Sequence, residues 1–212
     1  LDNYISLFSD QNFMASVGRS IGWCVVPILL TIVIVLLALF VTTIYFPKLE
    51  KYVQIICMIP YTIQGVILSV SILSLYVGTK SILSNRLVML VGAYCVVILP
   101  YIYQGIRNGM RAVNMTTLIE AAEMLGASKI YAFFRVVVPN ILSAIIVSSL
   151  LAVGIIFGDY VLIRNLAGTS APNMQIFLYQ TMKSDSTKAS AVFVIIMFVT
   201  FVITAIVLFL KS

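Results

Sequence analysis

The chain has 212 residues, of which 62% are hydrophobic and only 9% are charged, so its charges are too few to cover a water-exposed surface. This composition excludes an ordinary soluble globule and requires lipid as solvent. The net charge of +6 comes from Lys and Arg between apolar blocks, not from a basic run with interleaved aromatics, which argues against nucleic-acid binding. The chain contains no histidine, which excludes Ser-His and Cys-His nucleophilic chemistry.

Apolar segments separated by short polar stretches dominate the chain, and a bilayer-spanning helix needs about 20 such residues. No segment has a charge in its middle, and Pro60 and Pro100 are expected to bend the second and third segments. The pattern predicts an all-α polytopic membrane protein with one transmembrane domain over residues 1–212 and at least five spans. The spans are predicted at about residues 21–46, 52–77, 87–103, 141–163 and 189–210.

The connections between the spans differ in length. We expect a polar segment over residues 1–20 and two long connections at about 104–140 and 164–188. Because the start at Leu1 is polar and is not a signal peptide, we expect further residues upstream, with room for another helix. The basic residues divide almost evenly between the two faces, so charge alone does not orient the chain.

The 104–140 connection carries local helix signals. Thr117 and Glu120 have the spacing of a capping box, which predicts a helix start at this point. Ile119, Ala122 and Leu125 recur every three residues and predict one apolar face of that short helix.

A turn and a second helix are predicted directly after the first. Gly126 stands where a chain leaving a helix needs a positive φ. Ser128 can then cap a second helix, and Pro139 marks the entry to the fourth span. The connection is therefore predicted to be a helix–turn–helix element outside the bilayer.

The same stretch resembles the loop signature of ABC importer permeases, the binding-protein-dependent inner-membrane components. The resemblance lies in Glu120-Ala121-Ala122, Gly126 and the downstream Pro139, placed between two membrane helices. It departs from the family pattern at Val138, where Leu is usual, and at Asn140, after which no second Pro follows. Similar stretches elsewhere extend it over roughly residues 20–210: Ile59-Pro60-Tyr61 with Gly65–Leu68, and Leu99-Pro100-Tyr101 before Arg107.

The resemblance implies a type I ABC importer permease fold in a bacterial inner membrane, with the 104–140 loop in the cytoplasm as the coupling element. It thereby places residues 1–20 and the loop at about 164–188 on the extracytoplasmic side. Glu120, Ala121, Ala122 and Gly126 would contact an ATPase subunit, although Glu120 could instead serve as a cap only. The implied partners are a second permease subunit, identical or paralogous, two ATP-binding cassette subunits and an extracytoplasmic substrate-binding protein. No phosphate-loop motif occurs in this chain, so ATP and Mg would be bound by the partner ATPases and the chain is not an enzyme by itself.

Polar residues within the spans are the candidates for a substrate pathway. Gln64 lies within the second span, and Asp159 with Tyr160 lies near the outer end of the fourth. Asp159 could meet a cationic substrate or pair with Arg164, and Gln64 could instead bond a neighbouring helix.

The region 157–179 resembles the polyamine and ferric-iron permeases, so we expect a small cation such as a polyamine as substrate. Ferric iron, phosphonate and other small solutes remain open. An ion-driven secondary transporter is the alternative from another class, but it needs charged or carbonyl-lined ion sites at mid-membrane that these spans scarcely offer.

Overall fold

A computed structural model describes residue 7 and residues 9–63, 65–78, 84–168 and 173–211, and all regular structure in these ranges is helical. Three helices are individually long and apolar enough to cross a membrane, and five spans result if each of two bent helix pairs is counted as one. The all-α polytopic prediction is therefore confirmed. The α-helices in chain order are α1 (Gln11–Ile44), α2 (Glu50–Met58), α3 (Gly65–Tyr76), α4 (Arg86–Ala112), α5 (Met115–Met124), α6 (Lys129–Ala132), α7 (Val138–Asn140), α8 (Leu142–Phe157), α9 (Val161–Leu166), α10 (Met174–Ser184) and α11 (Ser186–Lys211).

The first span is longer than predicted. Helix α1 begins at Gln11 instead of residue 21, and the side chain of Asp10 accepts a hydrogen bond from the Asn12 amide at 2.8 Å. With 34 residues the helix is about 50 Å long, so its polar first turns extend beyond the roughly 30 Å of a bilayer core. Counting apolar residues alone missed these turns.

The second span is broken where a single helix over 52–77 was predicted. Pro60 lies in a 3-10 turn, Ile59–Thr62, between α2 and α3, because proline has no amide to continue the helical ladder. The two parts are bent by 102° relative to each other. Pro100, by contrast, lies inside the continuous helix α4.

The third and fourth spans also differ from their predicted limits. Helix α4 continues to Ala112 instead of ending at residue 103, since helix geometry does not stop where polar residues leave the lipid. The predicted span 141–163 is divided at Gly158 and Asp159 into α8 and the short helix α9.

The last predicted span is nearly correct, and α11 begins three residues earlier, after Asp185. The carboxylate of Asp185 accepts the amides of Thr187 and Lys188 at 3.0 and 3.1 Å, which caps the helix. The connection predicted over 164–188 also contains helix α10.

Helices α4 and α8 pack closely through small residues. A Cβ on Gly105 would lie 2.4 Å from the Cβ of Ser148, and one on Gly109 would lie 2.5 Å from the Cβ of Ala144. Glycines at this four-residue spacing let two helix backbones approach within a membrane. The two helices that flank the 104–140 connection are thereby held together.

The two ends of the bundle are named by their contents. The hairpin side contains residues 115–137 together with the ends of α1 and α4. The far side contains the starts of α1 and α4 and helices α9 and α10.

Candidate coupling hairpin and pathway residues

The hairpin, residues 115–137, begins with a left-handed residue. Asn114 has φ 50° and ψ 62° and makes no side-chain cap, and α5 begins at Met115. The predicted capping box is therefore wrong, because Thr117 and Glu120 both lie inside α5. Asn is one of the few residues that tolerate the left-handed conformation, so the reversal between α4 and α5 falls on it.

The turn after α5 is a Schellman motif. Gly126 has φ 86°, its amide donates to the Glu123 carbonyl at 2.9 Å, and the Ala127 amide donates to the Ala122 carbonyl at 3.0 Å. An ion pair of 3.9 Å between Lys129 and Glu123 crosses the same turn. The predicted positive φ at Gly126 is confirmed, and the turn has one defined geometry.

The second leg of the hairpin begins at the predicted cap. The Ser128 hydroxyl accepts the Tyr131 amide at 3.3 Å, which confirms Ser128 as the cap of α6. The leg then widens into a π turn over Phe133–Val137, two residues before Pro139. The missing amide of Pro139 disturbs the regular ladder at this point.

Aromatic packing fixes the hairpin to the bundle. Met115, Ile119 and Phe133 are buried, and the ring of Phe133 lies 4.8 Å from that of Phe40, centroid to centroid. Phe40 belongs to the last turns of α1, so the hairpin rests on the hairpin-side end of the first span. Such aromatic pairs are worth about 1 kcal/mol beyond the area that they bury.

The predicted coupling residues lie on the outward surface of the hairpin. Glu120, Ala121 and Gly126 are exposed, and Ala122 is half-buried. The predicted apolar face is only partly correct, because Ile119 is buried whereas Leu125 is 89% exposed. Met124 beside it is 90% exposed, so two large apolar side chains project at the tip of the hairpin.

Asp159 lies in the break of the fourth span, where its carboxylate is hydrogen-bonded within the chain. Oδ2 accepts from the Tyr94 hydroxyl at 3.2 Å and from the amides of Leu162 and Ile163 at 3.1 and 3.3 Å. Asp159 therefore caps α9 and ties it to α4. Tyr94 lies about 12 Å along α4 from its far-side start, so the carboxylate lies within the bundle.

Arg164 contacts aromatic rings and does not form the ion pair with Asp159 that was one of the two alternatives from the sequence. Its guanidinium carbon lies 5.6 Å from the Tyr160 ring centre and 5.0 Å from the Tyr179 ring centre. Within the described residues no ion pair joins it to Asp159. Lys183 lies 4.7 Å from the same Tyr179 ring and lowers the pKa of Tyr179. Tyr160 is thus part of a cation–aromatic cluster on the far side.

Hydrogen bonds from α10 complete the far side. Asn173 donates to the Asp159 carbonyl at 3.2 Å and accepts the Ile176 amide at 2.9 Å. The Met174 amide donates to the hydroxyl of Ser20 at 3.0 Å, which fixes α10 to α1. The predicted site residue Gln64 lies outside the described residues. Asp159 and Tyr160 lie toward the far side of the bundle, away from the hairpin.

Sequence reasoning missed several residues that shape these sites. Glu50 and Arg107 form an ion pair at 2.7 Å, and Tyr94 bonds Asp159 from the middle of an apolar run. Asn tolerates positive φ, and Asn114 follows a polar helix end, so this residue could have been predicted as the reversal before the hairpin. For Tyr94 no local pattern existed, because its partner is 65 residues away.

Membrane-length helices with a packed hairpin projecting from one end define the class as an all-helical polytopic membrane protein. Comparison with known proteins gives a more specific result. The family model described as binding-protein-dependent transport system inner membrane component matches residues 48–211. No curated protein matches the chain.

One solved structure similar to this chain is the crystal structure of a bacterial ABC transporter involved in the import of the acidic polysaccharide alginate. The TM-score is 0.69 at 18% identity, and the match covers 100% of this chain and 82% of that chain. At this identity the likeness establishes the fold, which is that of a type I ABC importer permease.

The chain belongs to the family of binding-protein-dependent transport system inner membrane components. It is therefore the permease subunit of an ABC importer in a bacterial inner membrane and is not an enzyme on its own. Such permeases work with ATPase and substrate-binding partners. This assignment favours an ATP-driven mechanism over the ion-driven secondary transporter.

Proposed function

We propose that the hairpin docks on a cytoplasmic ATP-binding cassette subunit and passes ATP-driven closure to the spans. The observation that carries this proposal is the pair of projecting side chains, Met124 and Leu125, 90% and 89% exposed on a turn of fixed geometry. In an aqueous compartment two such side chains are stabilised by entering a groove on a partner. The exposed backbone at Ala121 offers room for close approach, and Glu120 supplies a polar contact beside it.

The working assembly that follows has two permease subunits, identical or paralogous, and two ATPase subunits that bind ATP and Mg. Residues 1–20 and 164–188 would face the extracytoplasmic substrate-binding protein. The hairpin would transmit force because Phe133 packs on Phe40 of α1 while α4 and α8 are locked together through Gly105 and Gly109. A displacement of the tip then reaches three helices.

Copurification of the ATPase with tagged permease tests the docking proposal. Leu125→Glu, Gly126→Asp and Glu120→Lys should each reduce the bound ATPase, since they place charge, strain or reversed charge on the docking surface. Lys48→Glu is the matched control, because Lys48 is an exposed charged residue on the same side but outside the hairpin. Wild-type amounts of ATPase bound to all three hairpin variants would refute the docking role.

For the substrate we propose a small cation such as a polyamine, with Asp159, Tyr160 and Gln64 along the pathway. In support, Asp159 is the one acidic residue of the described ranges that lies in a break within the bundle rather than at its ends. Among the described residues its Oδ1 atom accepts one hydrogen bond, of 3.4 Å from the Leu162 amide, and so retains accepting capacity. Asp159 is half-buried, and a carboxylate partly withdrawn from water attracts a cation more strongly than an exposed one.

Uptake measurements separate the substrate candidates. Cells that express the complete importer should accumulate radiolabelled putrescine, and Asp159→Asn should reduce this uptake while the permease amount stays constant. Ferric iron and a phosphonate serve as the competing substrates. Uptake of either of these, with none of putrescine, would reject the polyamine assignment while leaving the permease function intact.

A further inference from the structure

The ion pair between Glu50 and Arg107 joins two helices on the hairpin side. Both Nε and Nη2 of Arg107 donate to Oε1 of Glu50, at 2.9 and 2.7 Å. The Arg107 side chain is only 15% exposed and that of Glu50 is 30% exposed, so the pair is largely withdrawn from water. Such a pair is stronger and geometrically more specific than an exposed one.

A second arginine provides an internal comparison. Arg111, one turn further along α4, lies 3.4 Å from the same Oε1 atom but is 62% exposed. Its contact is long and solvent-screened. Of these two arginines, Arg107 is therefore the one that holds Glu50 in a fixed position.

The positions of these residues place the pair between two structural units. Arg107 lies two residues from both Gly105 and Gly109, so on a helix of 3.6 residues per turn it projects from nearly the opposite face. One face of α4 thus packs on α8, and the other holds Glu50. Helix α4 runs directly into the hairpin at Asn114.

Glu50 is the first residue of α2, which leads into the break at Pro60 and on to α3. We infer that the Glu50–Arg107 pair is the transmission contact through which a displacement of the hairpin, α4 and α8 is passed to the broken second span. This inference rests on the proposed docking of the hairpin on an ATPase. If the pair had no role in transmission, it would only stabilise the start of α2, where an acidic residue also interacts favourably with the helix dipole.

Distance measurements on the whole permease–ATPase complex in nanodiscs test the inference. Spin labels are placed on cysteines at Tyr52 of α2 and Thr117 of α5, both exposed, with the three native cysteines replaced by alanine. The complex is measured without nucleotide and after trapping with ATP and vanadate. Only one of the two permease subunits in each complex carries the labels, so that a single distance is read. With Glu50 and Arg107 intact, this distance should be the same in both states, because the two helices move together.

Glu50→Gln and Arg107→Gln should each produce a second, longer distance in the trapped state. The exchange Glu50→Arg with Arg107→Glu should restore the single distance. Arg111→Gln is the matched control and should behave as the parent. Unchanged distances in both single variants would overturn the inference, as would an effect of Glu50→Gln alone, since that result indicates only a helix-end role.

Failure of the docking proposal gives a different result. If no ATPase copurifies with the unsubstituted permease, the hairpin does not dock, and the transmission role, which depends on docking, is rejected together with it. If the ATPase is bound and the single variants leave the distances unchanged, docking stands and the transmission role of the ion pair is rejected.

Discussion

The Tyr94 hydroxyl donates a hydrogen bond of 3.2 Å to the Asp159 carboxylate and so joins the third span to the break in the fourth. The same carboxylate caps α9 through the amides of Leu162 and Ile163. One side chain thus fixes both the direction of the short helix and its position against α4. A charge predicted to meet substrate also has a structural task.

Substitutions at Asp159 should separate these two tasks. Asp159→Ala removes the cap and the Tyr94 acceptor together and should destabilise the complex by about 1–2 kcal/mol. Asp159→Asn keeps an oxygen acceptor and should cost much less. The melting temperature of the detergent-solubilised complex, followed by size-exclusion chromatography after heating, gives the comparison.

The control for this prediction is Tyr94→Phe, which removes only the hydroxyl and should cost about 1 kcal/mol. Because both residues share one interaction, Tyr94→Phe combined with Asp159→Ala should cost less than the sum of the single changes. Strict additivity would show that the hydrogen bond contributes nothing to stability.

Any substitution of Gly126 should strain the backbone of the turn, even where the new side chain has room. A Cβ at this position meets no atom within 4 Å, yet φ is 86°, so Gly126→Ala should cost about 1–2 kcal/mol in local strain. Hydrogen exchange at the Ala127 amide, which closes the turn, should accelerate roughly 5–30-fold. Gly126→Asn should have a smaller effect because Asn tolerates positive φ, and equal exchange rates in both variants would contradict the strain argument.

Much of the fold was predictable because lipid constrains it strongly. Continuous apolar runs predicted the helical spans, which number five when each bent pair is counted as one. The Gly126 and Ser128 signals predicted the turn of the hairpin, since each depends on residues within a few positions. The breaks at Pro60 and Asp159 and the polar extension of α4 to Ala112 were misjudged. Apolar length measures only the lipid-facing part of a helix, and hydrogen bonding continues beyond it.

The sites were less predictable because their partners are distant along the chain. Glu120, Ala121 and Gly126 are all exposed on the hairpin and are close in sequence. The Glu50–Arg107 pair and the Tyr94–Asp159 bond join different spans, and one sequence carries no signal for such pairs. The capping box predicted at Thr117 was wrong for a local reason. Asn114 adopts the left-handed conformation, so the helix begins at Met115, before Thr117.

Asn114 itself should tolerate glycine but not a β-branched residue. With φ 50° it links α4 to the hairpin, and Asn114→Val should cost at least about 1–2 kcal/mol because the branched side chain clashes with the backbone in this conformation. Asn114→Gly should be near neutral. The rate at which trypsin cuts the hairpin of the purified complex is the measurement, and equal cutting of the Val and Gly variants would argue against strain at this position.

The contact between Gly109 and Ala144 allows a size exchange between α4 and α8. Gly109→Ala places a Cβ 2.5 Å from that of Ala144 and should destabilise the permease by about 1–3 kcal/mol through overpacking. This loss is expected even though Gly109→Ala by itself improves helix propensity. Adding Ala144→Gly removes the opposing Cβ and should recover most of the lost melting temperature. Gly92→Ala is the control on the same helix, because a Cβ there meets nothing within 4 Å, and it should cause no loss. If Gly92→Ala and Gly109→Ala lower the melting temperature equally, the close contact at Gly109 does not stabilise the packing of α4 on α8.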